Sequence, residues 1–160
     1  MPYSVRYASS EADRDAAYAL RRQVFEVEQN VPRPLDRDAL DHQANHVVAF
    51  DETGRCVGTG RFVRRDNRVV QIGRMAVAAD HRRHGVGALV IDALERMAVL
   101  RGIAEVVLHA QLPSVKFFEH RGYAQEGEVF NDEGVPHVRM RKVLLQAGQG
   151  EQQPPMGRIA

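Results

Sequence analysis

The sequence predicts one mixed α/β domain with a mostly antiparallel sheet flanked by helices, and two patterns carry that prediction. In the first half, three strand-like runs follow one another with only short turns between them, which favours an antiparallel meander. In the second half, strand-like runs alternate with runs at helical spacing. The chain has 160 residues, 44% of them hydrophobic, which suffices for one domain core and is too short for two ordinary domains.

The first predicted elements are a strand and a helix. A strand is expected over residues 4–8, and Ser10 followed by Asp13 is typical of a helix start. The apolar residues that follow lie on one helical face, so this helix should run to about Gln29. Residues 30–45 contain two prolines and three aspartates and are expected to form a loop with a short helical turn.

Strands and helices are predicted along the rest of the chain. Strands are expected over 46–50, 55–64, 68–77, 104–110, 123–130 and 137–144, and helices over 86–100 and 114–121. A hairpin turn is expected at 131–134. We assign residues 1–145 to the domain and expect a disordered tail over 146–160, because that stretch is rich in Gln, Gly and Pro.

The charge balance argues against a polyanion partner. Lys and Arg total 22 against 21 Asp and Glu, a formal net charge of +1, whereas nucleic-acid binders usually show a clear basic excess. No apolar run is long enough to span a membrane, and the first residues lack the layout of a signal peptide. A lone Cys56 excludes an internal disulfide and a Cys-rich zinc site. We therefore expect a cytoplasmic protein that binds neither nucleic acid nor membrane.

The most informative segment joins the strand at 68–77 to the long helix. It reads Arg82-Arg83-His84-Gly85-Val86-Gly87. The first turn of a helix has free backbone N–H groups and a partial positive charge, which together bind phosphate. Gly85 and Gly87 would let the backbone approach a pyrophosphate, and the arginines add positive charge.

Other interpretations of this segment fit less well. Neither a Walker phosphate loop nor the dinucleotide fingerprint has its required spacing here, since the third glycine of the latter would fall at Val90. Two glycines alone could also form a plain tight turn. The leading Arg82, the strand before it and the long helix after it favour phosphate binding over that alternative.

These motifs resemble the GNAT superfamily of acyl-CoA-dependent N-acetyltransferases. Its first pattern is a strand Ile-x-x-apolar-Ala-Val, then the turn [Gln/Arg]-x-x-Gly-x-[Gly/Ala] and a long helix. Residues 72–77 match the strand and residues 82–87 match the turn. Its second pattern is a strand and a short helix, matched by Val107-Leu108-His109-Ala110-Gln111 and Phe117-Phe118-Glu119-His120-Arg121-Gly122-Tyr123. The resemblance extends over 4–144, and residues 24–29 and 127–137 look like a small bacterial subgroup of predicted acyltransferases.

The resemblance implies acetyl-CoA as co-substrate and an amine, on a small molecule or a protein, as acceptor. The strands at 68–77 and 104–110 would splay apart to form the coenzyme A cleft, where a backbone N–H polarises the thioester carbonyl. The resemblance places the coenzyme against Met75, Ala76, Val77, Arg82, Arg83, His84, Gly85, Val86, Gly87, Ala88, Gln111 and Phe118.

Two familiar catalytic parts of the superfamily are missing. Gly73 stands where many members have a general-base Glu, and Phe118 stands where many have a general-acid Tyr. We expect His137, Glu128 and His109 as replacements, since imidazole suits proton transfer near neutral pH and Glu128 could face His137 across the last hairpin. Each of the three could equally be a hydrogen-bonded structural residue.

No metal site is expected. His42 and His46, and likewise His81 and His84, lie at helical spacing, but the sequence indicates no third ligand for either pair.

The first helix and the loop after it are acidic. They carry Glu26, Glu28, Asp36, Asp38 and Asp41, and in GNAT proteins this region walls the acceptor site, which would suit a cationic amine. A solvated loop explains the same charges, and we prefer that explanation.

Three functions therefore stay open. The first is an enzyme that acetylates an amine. The second is an acyl-CoA-binding sensor that has lost the chemistry, which Gly73 and Phe118 make plausible. The third is a phosphate-binding module unrelated to acyl transfer, against which the second motif argues. A homodimer is possible because strands near the C-terminus would be exposed.

Overall fold

A mixed β-sheet organises the part of the chain that the computed structural model describes, residues 2–30, 37–132 and 134–144. Within those residues it has seven strands in the order β1-β2-β3-β4-β5-β7-β6. The strands are β1 (Ser4–Tyr7), β2 (Asn45–Phe50), β3 (Cys56–Arg64), β4 (Val69–Val77), β5 (Glu105–Gln111), β6 (Ala124–Asp132) and β7 (Val135–Val143). β4 and β5 are parallel, and all the other neighbours are antiparallel.

Helical segments connect the strands. They are α1 (Glu11–Arg21), a π-helical segment (Arg22–Glu28), α2 (Val86–Leu100) and α3 (Val115–His120), with single 3-10 turns at Asp41–Gln43, Ala79–His81 and Leu112–Ser114. The Ser10 hydroxyl accepts a hydrogen bond from the Asp13 N–H at 3.0 Å, so the predicted start of α1 is confirmed. The predicted helix to Gln29 is helical nearly to that point, but its last seven residues widen into a π-helix, which side-chain periodicity does not reveal.

The two longer helices cover opposite faces of the sheet. Val48 packs with Ala17 of α1, whereas Ala49 packs with residues of α2. Successive side chains of a strand point to opposite faces, so the helices must lie on different sides. The predicted apolar stripe of α2 is buried against the sheet, as expected for its spacing.

An irregularity in β4 opens the sheet at its centre. Thr59 pairs with Ala76 and Arg61 pairs with Gly73, so two residues of β4, one of them Arg74, lie opposite one residue of β3. The parallel pairing of β4 with β5 covers Val69–Ile72 of β4 and ends at Ile72. Beyond that point the two strands separate, as predicted.

The predicted fold class and element order are confirmed over the described residues. The last hairpin is tighter than expected, because β6 and β7 reach Asp132 and Val135, which pair with each other. The predicted disordered tail lies outside the described residues. Among the residues described, no helix is both long and apolar enough to cross a membrane.

Close packing of α2 on β3 yields a test of the fold. A Cβ atom added at Gly58 would lie 2.5 Å from Cγ1 of Val86, a buried and stiff β-branched side chain. We expect Gly58→Ala to lower the free energy of unfolding by about 1–3 kcal/mol, as overpacking typically does. Chemical denaturation measures this change.

Gly73→Ala is the matched control for stability. A Cβ atom at Gly73 would have no neighbour within 4 Å, and its backbone is not in the left-handed region. Equal stability losses in the two variants would contradict the close helix–strand contact.

Candidate active site

A cleft opens where β4 and β5 separate. Its volume is about 940 Å³, within the range of small-molecule sites. The end of β4, the start of α2, the end of β5 and the π-helical segment form its walls. Val24 and Phe25 line it as buried apolar side chains, and Gln71, Arg74 and His109 supply polar groups.

The turn before α2 forms one end of the cleft. Arg83 and Gly85 have φ angles of 65° and 85°, both in the left-handed region. The first hydrogen bond of the helix runs from the Leu89 N–H to the Gly85 carbonyl at 3.1 Å. The N–H groups of residues 86–88 lie in the first turn of the helix, where no earlier helical carbonyl is available to accept from them, so they have no partner inside the helix. No side chain caps this end, which leaves the positive end of the helix dipole facing the cleft.

Arg82 is already paired within the protein. Its Nε donates to the Val77 carbonyl at 3.0 Å, and its two terminal nitrogens donate to the carboxylate of Glu28 at the end of the π-helical segment. The hydrogen bond from Arg82 lowers the pKa of Glu28. Arg83, by contrast, is exposed and forms no ion pair with any residue that the structure describes. Arg83 is therefore the cation that is free for a ligand at this turn.

His137 and His109 line the cleft on its β5–β7 side. His137 on β7 pairs with Gln111 on β5, and Phe130 on β6 stacks on the His137 ring at 6.0 Å between centroids. Nδ1 of His137 lies 2.7 Å from the Val135 carbonyl oxygen. A carbonyl oxygen can only accept, so Nδ1 carries the hydrogen and Nε2 is left with a lone pair. In this tautomer His137 can take up a proton at Nε2.

His109 contacts the same aromatic group, with its ring edge-on to Phe130 at 5.0 Å. Burial lowers the pKa of His109, and the charge of Arg139 lowers it further. The imidazole is therefore held neutral and can also accept a proton.

Comparisons with known proteins identify this arrangement. The family model for the acetyltransferase (GNAT) domain matches residues 8–144. The chain belongs to the GNAT family.

Individual relatives agree with that assignment. The uncharacterized N-acetyltransferase YjcF of Bacillus subtilis is 35% identical over 136 residues, which cover 84% of this chain and 96% of YjcF. A crystal structure from Lactobacillus plantarum has a TM-score of 0.83 at 29% identity and covers 91% of this chain and 100% of its own. An acyl-CoA N-acyltransferase structure from Pseudomonas aeruginosa has a TM-score of 0.74 at 25% identity, and the match covers 88% of this chain and 97% of the Pseudomonas chain.

Membership of the GNAT family confirms the resemblance drawn from the motifs. It also gives the general reaction, which is transfer of an acyl group from an acyl-CoA to an amine.

The GNAT cleft gathers most of the predicted site residues. Those that line it are Met75, Ala76, Val77, Arg82, Arg83, Gly85, Val86, Gly87, Ala88, His109, Gln111, Phe118 and His137. His84 does not line the cleft and contacts His81 ring to edge. The turn directs its side chain elsewhere while its neighbours face the ligand space.

Glu128 does not face His137, so that expectation is wrong. The partner of His137 on β6 is Phe130, and the pairing is irregular between Glu126 and Phe130. Gly127, with φ of 77°, lies in this irregular stretch. Glu128 is exposed there and does not line the cleft.

Two aspartates of the acidic loop, Asp38 and Asp41, form ion pairs in a largely buried ionic cluster. We define this buried ionic cluster as Arg21, Asp38, Asp41, Arg61 and Arg74. Arg21 donates to both Asp41 carboxylate oxygens at 2.9 and 3.0 Å, and Arg61 donates to Asp41 at 2.6 Å. Arg61 also donates to both oxygens of Asp38, at 2.7 and 3.0 Å. The side chains of Arg21 and Asp41 are only 1% and 5% exposed.

This cluster overturns the preferred explanation of the acidic loop. Asp41 is not solvated, and Asp38 and Asp41 are engaged by arginines, so neither offers a free carboxylate to a cationic amine. Glu28 is likewise paired with Arg82. Asp36 lies outside the described residues.

Three histidines of the rejected metal pairs have other contacts. His46 lies 3.0 Å from the Asp41 carbonyl oxygen, and His81 contacts Tyr3 and the His84 ring. Across residues 2–30, 37–132 and 134–144, His, Cys, Asp and Glu do not gather in a group of three or more that would suit a metal.

The ionic cluster makes acid stability testable. Burial would raise the pKa of Asp41, but hydrogen bonds from Arg21, Asp38 and Arg61 outweigh it and the pKa falls. A carboxyl whose pKa is lower in the folded state stabilises the fold above its unfolded pKa of about 4, and this stability is lost as the pH falls. We expect Asp41→Asn to lower the free energy of unfolding by about 3–5 kcal/mol at neutral pH, because buried arginines lose their anion.

Denaturation between pH 7 and pH 3 measures both effects. The loss of stability towards low pH should be shallower in Asp41→Asn than in the parent. Asp15→Asn is the control, because Asp15 forms an exposed pair with Arg37 that should contribute at most about 1 kcal/mol. Parallel acid profiles in parent and Asp41→Asn would contradict the role of the cluster.

Proposed function

We propose that this protein transfers an acetyl group from acetyl-CoA to an amine by direct attack of the amine on the thioester. The observation that carries the proposal is the cleft between the separated strands β4 and β5, which ends at the uncapped first turn of α2. One end of it suits a phosphate, and its β5–β7 side holds an imidazole with a free lone pair.

The coenzyme would lie along β4 and against the turn. Backbone N–H groups of residues 83–88 would hold the pyrophosphate, with Arg83 as the nearest free cation. Residues 75–77 have no β5 partner and would pair with the pantetheine arm as an added strand would. Phe118 and Gln111 line the cleft beside that path.

Gly87 leaves the space between the turn and α3 free of a side chain. A Cβ atom there would lie 3.5 Å from the ring of Phe117, so a larger side chain would occupy the space between the turn and α3. This supports a close approach of the coenzyme to the backbone.

The proton chemistry would fall to His137. An alkyl ammonium titrates near pH ~10, so it must lose a proton before its nitrogen can attack. Nε2 of His137 accepts a proton from the amine, the nitrogen lone pair bonds to the thioester carbon, and a backbone N–H of the β4 bulge stabilises the oxyanion. The carbon–sulfur bond then breaks, the nitrogen releases its second proton to water, and the thiolate takes the first proton from the imidazolium.

His109 is a second candidate for the proton transfer. Its pKa is lowered, it lines the cleft, and it shares Phe130 as a neighbour with His137. Phe118 has no hydroxyl to donate, and Tyr123 does not replace it, since its hydroxyl donates to Glu95 at 2.8 Å and it does not line the cleft.

The turn before α2 (residues 82–87) can be tested by introducing a negative charge. Gly85→Glu should abolish acetyl-CoA binding, because it places a carboxylate against the pyrophosphate. Calorimetric titration with acetyl-CoA, and separately with pantetheine, measures this, and the parent should bind acetyl-CoA much more tightly than pantetheine.

Gly85→Asn is the matched control. Asparagine tolerates the left-handed backbone that Gly85 adopts, so this variant separates backbone strain from charge. Unchanged acetyl-CoA affinity in a folded Gly85→Glu variant would refute the proposed coenzyme position.

The second prediction concerns turnover. His137→Ala should lower kcat by about 10²- to 10⁴-fold, the usual contribution of a general base, and leave acetyl-CoA affinity nearly unchanged. Thiol release in the presence of a panel of amines measures the rate. His42→Ala is the control, because His42 is exposed and lies outside the cleft.

The same assay distinguishes an enzyme from a sensor. If His137→Ala turned over as fast as the parent, His137 would have no role in the mechanism. Acetyl-CoA binding without thiol release from any amine would favour the acyl-CoA-binding sensor that Gly73 and Phe118 suggest.

A further inference from the structure

Arg74 is a cleft residue that the proposed reaction does not use. We infer that Arg74 binds a carboxylate on the acceptor, so that the acceptor is an amine that also carries a carboxylate, as amino acids do. The inference rests on the proposed function, since it takes the cleft to be the transfer site.

Arg74 does not follow the regular alternation of side chains along β4. Arg74 lies in the β4 irregularity, and its φ of 50° is in the left-handed region that a non-glycine residue rarely adopts. Bulges often redirect a side chain beside an active site, and strained backbone of this kind is concentrated at functional positions. Here the result is a guanidinium that lines the cleft.

The protein satisfies only part of that guanidinium. One terminal nitrogen donates to Asp38 at 3.0 Å, while the buried Nε has no hydrogen-bond partner among the described residues. The side chain remains 29% exposed. Arg74 can therefore still donate towards the cleft.

Asp38 does not neutralise Arg74, because it is shared. Both of its carboxylate oxygens accept from Arg61, and Arg74 reaches only one of them. Burial lowers the pKa of Arg74, and the neighbouring charge of Arg61 lowers it further. An anion in the cleft would oppose both effects and accept a hydrogen bond from the exposed part of the guanidinium.

This anion is not the coenzyme pyrophosphate. A strand rises about 3.3 Å per residue and the β4 irregularity takes up one residue, so Arg74 is roughly 7 Å along β4 from Val77, and the turn before α2 lies beyond Val77. The thioester would lie between the two. The anion at Arg74 must therefore belong to the acceptor.

The hairpin side of the cleft suits the amine of such an acceptor. Asp132 and His137 both line it, and the charge of Asp132 is felt at His109. An amino group near Asp132 and His137 would have its carboxylate towards Arg74. A cationic acceptor without an acid group would instead meet the positive charge of Arg74, which Asp38 offsets only in part because it is shared with Arg61.

The test compares amino acids with their amides. Thiol release from acetyl-CoA is measured with each of the twenty amino acids and with the corresponding carboxamides, in the parent, Arg74→Gln and Arg74→Lys. We expect at least one amino acid to be acetylated with kcat/KM roughly 10- to 100-fold above that of its amide, as for a hydrogen bond to a charged group.

The variants separate ligand binding from a structural role. Arg74→Gln should raise KM for the amino acid and leave the amide nearly unchanged, so the acid preference disappears, and Arg74→Lys should keep part of it. A merely structural role would reduce both substrates equally and would overturn the inference.

Failure of the inference differs from failure of the proposed function. Amides or simple amines that react as well as amino acids, or that react when no amino acid does, would overturn the inference alone. Absence of acetyl-CoA binding would overturn the proposed function and the inference with it.

Discussion

The end of pairing between β4 and β5 is the constraint on which the rest of the site depends. The two parallel strands share hydrogen bonds only as far as Ile72 and Leu108. Past that point the backbone N–H and C=O groups on this edge of β4 have no partner in β5 and face the cleft. A ligand in the cleft can form hydrogen bonds to them. The turn before α2, His109 on β5, His137 on β7 and Arg74 are all arranged around this opening.

Close packing elsewhere holds the opening in place. Glycines in β3 let α2 approach the sheet, and the first turn of α2 is thereby fixed at the end of the cleft. On the other face, the ionic cluster ties α1 to β3 through Arg21, Asp41 and Arg61, and Asp38 joins Arg61 to Arg74 of β4. The β4 irregularity separates the strands, and this packing on both faces of the sheet fixes the elements that border the cleft.

The sequence predicted what local patterns encode. The helix α2 and the turn before it follow from apolar spacing and two glycines, and the strands follow from alternation. The β4 irregularity at Arg74 was not predicted, since one extra residue hardly changes the apolar pattern. The register that puts Phe130 rather than Glu128 opposite His137 was also missed, because a bulge shifts pairing without a clear sequence signal.

The ionic cluster could not be predicted for a different reason. Arg21, Asp41 and Arg61 are far apart in the chain, and their charges look like those of any solvated surface until the fold brings them together. Composition gives the number of charges but not which are buried.

The contact between Glu28 and Arg82 has a consequence for ligand entry. Glu28 occupies the guanidinium with its own carboxylate, so it acts as an internal competitor for any anion that approaches this end of the cleft. An incoming phosphate would exchange one ion pair for another and gain only the difference between them. Because the pair is exposed to solvent, it is weak and is screened by salt. Displacing Glu28 would therefore cost an incoming anion little, and the cost would fall further as the ionic strength rises.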